Sequence, residues 1–173
     1  MEVRAAAQGD IPAIQAIYAH HVLHGLASFE EVPPDAAEMR RRHGEITGMG
    51  LPYLAAVQGR DILGYGYCSL YRTRSAYRYA LEDSVYVREG QQGKGIGSLL
   101  LGELLRMCAG LGYRQVIAVI GDSGNTASIA LHARHGFLRA GTLRSTGWKF
   151  GRWVDSVLMQ RPLGPGDGAP PAT

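Results

Sequence analysis

Apolar residues return along this chain with two different periods, and the switches between them predict its elements. Residues 3–7 suit a short first strand. Behind Asp10, a residue able to cap a helix, Ile11, Ile14, Ile17, Tyr18 and Val22 recur at helical spacing and predict a helix to about His24. Pro33, Pro34 and Asp35 start a second helix, which ends near the turn signals Gly48 and Gly50. Residues 53–57 and 62–71 read as strands joined through Gln58, Gly59, Arg60 and Asp61, a short polar connection suited to a hairpin. A third strand over 79–87 stops before 88–97, which lacks the apolar content of either element and reads as a loop. Ile96, Leu99, Leu100, Leu104, Met107 and Cys108 then line one side of a helix stopped by Gly110, Leu111 and Gly112. Residues 113–120 form a near-continuous run rich in Val and Ile, as expected of a strand covered on both faces, and strand, helix, strand implies a parallel crossover. A further helix over 125–135 is broken by Gly136 and Phe137, and 153–160 supply a late strand. The order predicts an α/β domain with a mixed sheet (α+β), antiparallel at its start and parallel in its middle.

Composition narrows the class. The 173 residues are 46% hydrophobic and 19% charged, which describes one soluble globular domain. No apolar run approaches the ~20 residues of a membrane span, and no long apolar stretch opens the chain as in a secretory signal. Cys68 and Cys108 are isolated, so neither a zinc ribbon nor a disulfide framework fits; a cytoplasmic, reducing location is expected. Lys and Arg total 18 against 15 for Asp and Glu, a net charge of +3 that is too small to predict a nucleic-acid partner. The densest cluster, Arg40, Arg41 and Arg42, reads as a solvated helix face. His20 and His24 lie four apart without a signalled third ligand, so no metal is expected. The domain is expected to span 1–161, with 162–173, rich in Pro and Gly, as a flexible, frayed tail.

The sharpest chemical feature is Gln92, Gly93, Lys94, Gly95, Ile96, Gly97 and Ser98, between a strand and a helix. Glycines there let successive backbone N–H groups encircle an anion at a helix N-terminus, and a phosphate or pyrophosphate is the natural guest. A Walker loop needs Ser or Thr directly after its Gly-Lys, where this chain has Gly95; a Rossmann fingerprint needs a third glycine where this chain has Ser98.

Gln92, Gly95 and Gly97 meet the phosphate-loop pattern Q/R-x-x-G-x-G/A, and residues 125–137 resemble the pattern N-x-x-A/S-x-x-L-Y-x-x-x-G-F. On these motifs the chain resembles the GCN5-related N-acetyltransferase superfamily. Residues 27–31, 82–87 and 148–153 are similar to its phosphinothricin and methionine sulfoximine acetyltransferase branch. The resemblance implies a central mixed sheet with splayed parallel strands flanked by helices, and acetyl-CoA as cosubstrate. It also implies a small amino acid bearing a tetrahedral phosphinate, sulfone or sulfoximine head as acceptor, and a homodimer. Gly93 to Ser98 would then hold the cosubstrate's pyrophosphate, Val85, Tyr86 and Val87 would pair with its pantetheine arm, and Asn125, Ser128 and Arg134 would face it.

The acceptor's ammonium must lose a proton before it attacks a thioester, and a carboxylate at the mouth of a cleft can take it. Glu82, sharing a strand face with Ser84 and Tyr86, is the candidate base. Asp83 points the other way and is the reserve base or a substrate ligand. His132 could protonate the departing thiolate or could simply pack; many family members carry Tyr there. The oxyanion would meet the Val85 N–H. From spacing alone Arg72, Thr73 and Arg74 read as a solvated basic turn; the resemblance implies instead that, in an extended segment, they clamp the substrate's carboxylate or head group. Phe29 and Glu30 would line the opposite wall, and Lys149 with Trp148 would form a lid, supplied in this branch by a dimer partner. Direct transfer in a ternary complex is expected. Another amine (a protein N-terminus or a polyamine), or an acyl-CoA sensor without catalysis, is the alternative.

Overall fold

The computed structural model describes residues 1–171. Its N-terminal strand β1 (Glu2–Ala5) leads to helix α1 (Ile11–His24). Asp10 does not cap α1 with its side chain as expected. Its carboxylate accepts instead from the Ala7 N–H at 2.7 Å and from the Arg4 guanidinium at 2.7 and 3.0 Å, tying β1 to the helix start. Helix α2 (Ala36–Gly48) begins as its sequence predicts, with Asp35 accepting from the Glu38 N–H at 2.8 Å. Strands β2 (Tyr53–Gln58) and β3 (Asp61–Leu70) close a two-residue hairpin, and β4 (Ala80–Val87) pairs antiparallel with β3. Helix α3 (Ile96–Gly110) crosses to β5 (Gln115–Gly121), which is parallel to β4, and helix α4 (Thr126–Arg134) follows.

The chain then makes a long hairpin, β6 (Leu138–Lys149) and β7 (Arg152–Pro162), and β7 returns to pair antiparallel with β5. The strands lie in the order β1-β2-β3-β4-β5-β7-β6. Only 153–160 of this hairpin is signalled in the sequence. Strand β6 is the sheet's edge, ten of its twelve residues are not buried, and its register with β7 breaks twice, so no alternation of apolar and polar residues marks it.

The sheet is sandwiched. Tyr86 of β4 meets Tyr18 of α1, whereas Val85 and Val87, its neighbours on the opposite face, lie beside Gly97 of α3 and Leu131 of α4. Ile11, Ile14 and Val22 fill the first layer; Leu100, Leu101, Leu104 and Cys108 fill the second. The segment after β7, expected to fray, makes defined contacts as far as Pro170. Leu163 is buried and bonds to the Arg114 carbonyl, while the Arg114 guanidinium donates to the carbonyls of Gly166 and Pro170. The last two residues of that segment, 172 and 173, lie outside the described residues. Among the described residues no helix is long and apolar enough to cross a membrane.

Candidate active site

The β4–β5 ladder runs only from Ala80 opposite Gln115 to Asp83 opposite Ala118, after which the two strands part. Backbone direction decides what the gap exposes. The Arg88 N–H donates to Leu63 and the Ala80 carbonyl accepts from Tyr71, so even-numbered residues of β4 direct their peptide groups toward β3. The odd-numbered Val85 and Val87 therefore turn N–H and C=O into the gap, while Tyr86 turns its peptide groups to β3 and its ring into an aromatic cluster with Tyr18 and Tyr65. The Val87 carbonyl is taken by His21 Nε2 at 2.9 Å; its N–H and both peptide groups of Val85 face the gap. Val119 of β5, expected to be covered on both faces, is 39% exposed because the sheet opens beside it.

At one end of this gap stands the glycine loop. Gly93 and Gly95 hold φ of +77° and +81°, a left-handed conformation that glycine adopts without strain, and Gly95 is the N-cap of α3. The first closing bond of α3 runs from the Leu99 N–H to the Gly95 carbonyl, so the N–H groups of Ile96, Gly97 and Ser98 precede it and the positive end of the helix dipole opens on the loop. The Ile96 side chain is core, Gln92 is exposed, and Lys94 reaches back to Gln91 at 2.9 Å. The Ser98 hydroxyl pairs with His135 Nε2 at 2.7 Å, a partner that the sequence does not signal. Across the gap, Asn125 caps α4 by accepting from the Ser128 N–H, and Asn125, Ser128 and His132 line the wall. Arg134 is exposed at the end of α4.

The two adjacent carboxylates diverge. Glu82 is half-buried on the same face as Ser84 and Tyr86, with Ser69 opposite it on β3. Burial, and secondarily the neighbouring Asp83 charge, raise its pKa; Arg72 pulls in the other direction. Asp83 points into the other layer, where its Oδ2 lies 2.9 Å from His132 Nε2 and its Oδ1 is buried without a partner. His132 Nδ1 lies 2.7 Å from the Ser128 carbonyl. Burial alone would depress the His132 pKa, but the Asp83 hydrogen bond and charge, with the Ser128 carbonyl, outweigh it and hold it above the ordinary histidine value.

The face bearing Glu82 is where the expected substrate residues are found, with three differences. Arg72, Thr73 and Arg74 are exposed just beyond β3, but they lie in a bend rather than an extended segment, with the Arg72 guanidinium 4.9 Å from the Tyr71 ring centre. Glu30 is already engaged: its carboxylate accepts from Arg42 at 2.6 Å and from the Tyr18 hydroxyl at 3.0 Å. Arg42 is accordingly half-buried between Glu30 and Glu38 rather than on a solvated face. Lys149, expected as part of a lid, is only 2% exposed, and its Nζ donates to the carbonyls of Gly25 at 2.9 Å and Ser28 at 2.7 Å of its own chain. It fastens the loop carrying Phe29, whose ring lies over Gly147. Trp148 is 56% exposed. Arg42, Tyr18, His21 and His135 are site neighbours missed from the sequence: His21 and His135 meet partners remote in the chain, and Tyr18 and Arg42 meet Glu30 from two different helices.

A parallel pair of strands opening over a glycine-capped helix N-terminus forms a cleft suited to an extended ligand with a phosphate at one end. A family model described as "Acetyltransferase (GNAT) family" matches residues 16–137, and the chain belongs to that family. It is 58% identical to the phosphinothricin N-acetyltransferase of Alcaligenes faecalis over 95% of this chain and 84% of that protein. Identity is 38% with the L-methionine sulfoximine/L-methionine sulfone acetyltransferase of Pseudomonas paraeruginosa, covering 97% of this chain and 98% of the relative. A crystal structure of a phosphinothricin acetyltransferase from Sinorhizobium meliloti in complex with AcCoA superposes with a TM-score of 0.96 at 46% identity, over 99% of this chain and 92% of that one.

Proposed function

We propose that the protein transfers acetyl from acetyl-CoA to the α-amine of a small amino acid analogue of the phosphinothricin, methionine sulfoximine or methionine sulfone type, by direct attack in a ternary complex. The observation that carries this reading is the early end of the β4–β5 ladder, which leaves main-chain donors and an acceptor of Val85 and Val87 facing a gap that ends on the α3 glycine loop. The similarity to enzymes named for those acceptors supports the substrate class.

Bound there, acetyl-CoA supplies an electrophilic thioester. The N–H groups of Gly93 to Ser98 hold its pyrophosphate, with Lys94 and Gln92 at the rim, and Val85 and Val87 pair with its pantetheine arm. Asn125, Ser128 and Arg134 bound the arm from α4. Glu82 takes the proton from the acceptor's ammonium, directly or through water, and its raised pKa suits a base working near neutral pH. The amine attacks the carbonyl carbon, the Val85 N–H meets the oxyanion, and His132 faces the departing sulfur. Arg72, Thr73 and Arg74 receive the acceptor's carboxylate or head group, Ser84 flanks it on β4 while Asp83, on the other face, is held by His132, and Phe29 walls the opposite side. Glu30 acts there with Arg42 already paired to it. No metal is required.

The protein is proposed to work in the cytoplasm, where its two free, buried thiols stay reduced, and as a homodimer. Trp148, Phe150 and Trp153, more than half exposed at the end of the edge hairpin, support a second copy as the partner.

The test is thiol release from acetyl-CoA with methionine sulfoximine, methionine sulfone, phosphinothricin, a polyamine and an N-terminal peptide. Turnover confined to the three tetrahedral-headed amino acids, with kcat reduced about 10²–10⁴-fold in Glu82→Gln, is expected. The parent enzyme's kcat/KM is expected to fall as acid protonates Glu82, at a pH above the ordinary carboxylate range. Turnover only with the polyamine or peptide overturns the substrate class; acetyl-CoA binding without any turnover favours a sensor.

A further inference from the structure

Building on the acetyl-transfer reading, we propose that Asp83 is a positioning residue that keeps a proton on His132 Nε2 at the wall of the β4–β5 gap, so that an imidazolium rather than a neutral ring faces the departing thiolate.

Hydrogen-bond polarity carries the inference. The Ser128 carbonyl, 2.7 Å from His132 Nδ1, can only accept, so Nδ1 bears a proton. That leaves Nε2 facing Asp83 Oδ2 at 2.9 Å. With Asp83 ionised, Nε2 must donate as well, and the ring carries both protons. The ring is not free to turn away: it is gripped at both nitrogens and packed edge-on against Phe137, with centroids 5.0 Å apart. The pair is also nearly dry, the side chains of His132 and Asp83 being 5% and 1% exposed, so the charge on each is sustained by the other rather than by water.

A second observation lies on the same carboxylate. Asp83 Oδ1 is the one buried side-chain polar atom without a partner among the described residues, and Asp83 lines the gap together with His132. His132 Nε2 is therefore the one side-chain partner of that carboxylate among the described residues.

The surrounding charges set the direction. Glu82 precedes it on the other face of β4, and the Cys68 thiol lies opposite Asp83 on β3, itself in contact with Cys108 of α3. Arg161 of β7 and Arg134 at the end of α4 are the cations near His135, whose own pKa burial and those charges hold below the ordinary histidine value. Asp83 is the anion in direct contact with the ring. Both ring N–H bonds stay in place, Nδ1–H on the Ser128 carbonyl and Nε2–H on Asp83 Oδ2; the imidazolium offsets the charge that gathers on sulfur as the C–S bond breaks, and the departing thiolate takes its proton from solvent.

Asp83→Asn is isosteric but uncharged, and its amide can donate to a neutral Nε2. Two readouts follow its effect: the pH titration of histidine-labelled, ligand-free protein by NMR, and the pH profile of kcat. His132 in the parent is expected to titrate above the ordinary histidine range and to drop by at least one pH unit in the variant, an approximately tenfold change in protonation. The alkaline limb of kcat is expected to move down with it, with rates converging toward low pH and KM for acetyl-CoA within about twofold of the parent. A parent His132 that is neutral at pH 7 overturns the proposal without any variant. So does an unmoved titration in Asp83→Asn, or a kcat loss equal at every pH, which marks a merely structural role. Absence of turnover with every acceptor would sink the acetyl-transfer reading, while the titration would still decide the charge on His132.

Discussion

Gly121 and Gly147 show how single residues shape the wall of the proposed acceptor site. A Cβ on Gly121 would lie 2.0 Å from the Leu26 carbonyl oxygen, and one on Gly147 would lie 2.5 Å from the Phe29 ring. The first clash is with backbone and the second with a half-exposed side chain, so their costs differ in kind. Gly121→Ala is expected to lose about 1–3 kcal/mol, lowering Tm by about 2–4 °C for each. Gly147→Ala is expected to leave Tm nearly unchanged while raising the acceptor KM about tenfold as Phe29 swings out. Calorimetry and steady-state kinetics separate the two. Neither glycine was legible in the sequence as a site residue, because each makes room for a loop about a hundred residues away. Lys149 was singled out there, but only folding reveals that its ammonium is spent on the Gly25 and Ser28 carbonyls.

At the scale of elements, legibility followed burial. Helices α1 to α3 and strands β2 to β5 each bury one face or more, so their periods survive in the sequence. The edge strand β6 buries almost nothing and is bent where Ser145 takes φ +55°, which erased its pattern. The bend at Arg72–Arg74 was only half legible, since two arginines two apart look alike in a strand and a turn. The glycine loop was legible because its shape rests on left-handed backbone at Gly93 and Gly95, which glycine spacing records directly. Placing a Cβ on Gly95, the left-handed cap of α3, costs about 1–2 kcal/mol and distorts the turn presenting the first N–H groups. Gly95→Ala is therefore expected to raise KM for acetyl-CoA by about tenfold while leaving the acceptor KM within about twofold, as initial-rate kinetics with each substrate varied would show.

For the whole molecule, the exposed aromatic end of the β6–β7 hairpin sets the proposed assembly. Trp148 and Trp153 face each other across the hairpin with ring centres 5.1 Å apart and are 56% and 63% exposed. Sedimentation is expected to report twice the mass of one chain, and the double variant Trp148→Glu, Trp153→Glu is expected to sediment as a single chain with its Tm within a few degrees of the parent; a parent that sediments as one chain at micromolar concentration removes the dimer. The chain's general architecture was readable beforehand because strand and helix order fixes the sheet's parallel middle, whereas partner surfaces leave no period. The short ladder from Ala80 to Asp83 has one more consequence. It is the sheet's sole seam between the plate β1 to β4 and the plate β5 to β7. In mechanical language the sheet is two stiff leaves on a four-residue hinge with a notch above it. Whatever main chain or ligand occupies that notch acts as a splint, sharing load between leaves that otherwise meet at one short row of hydrogen bonds.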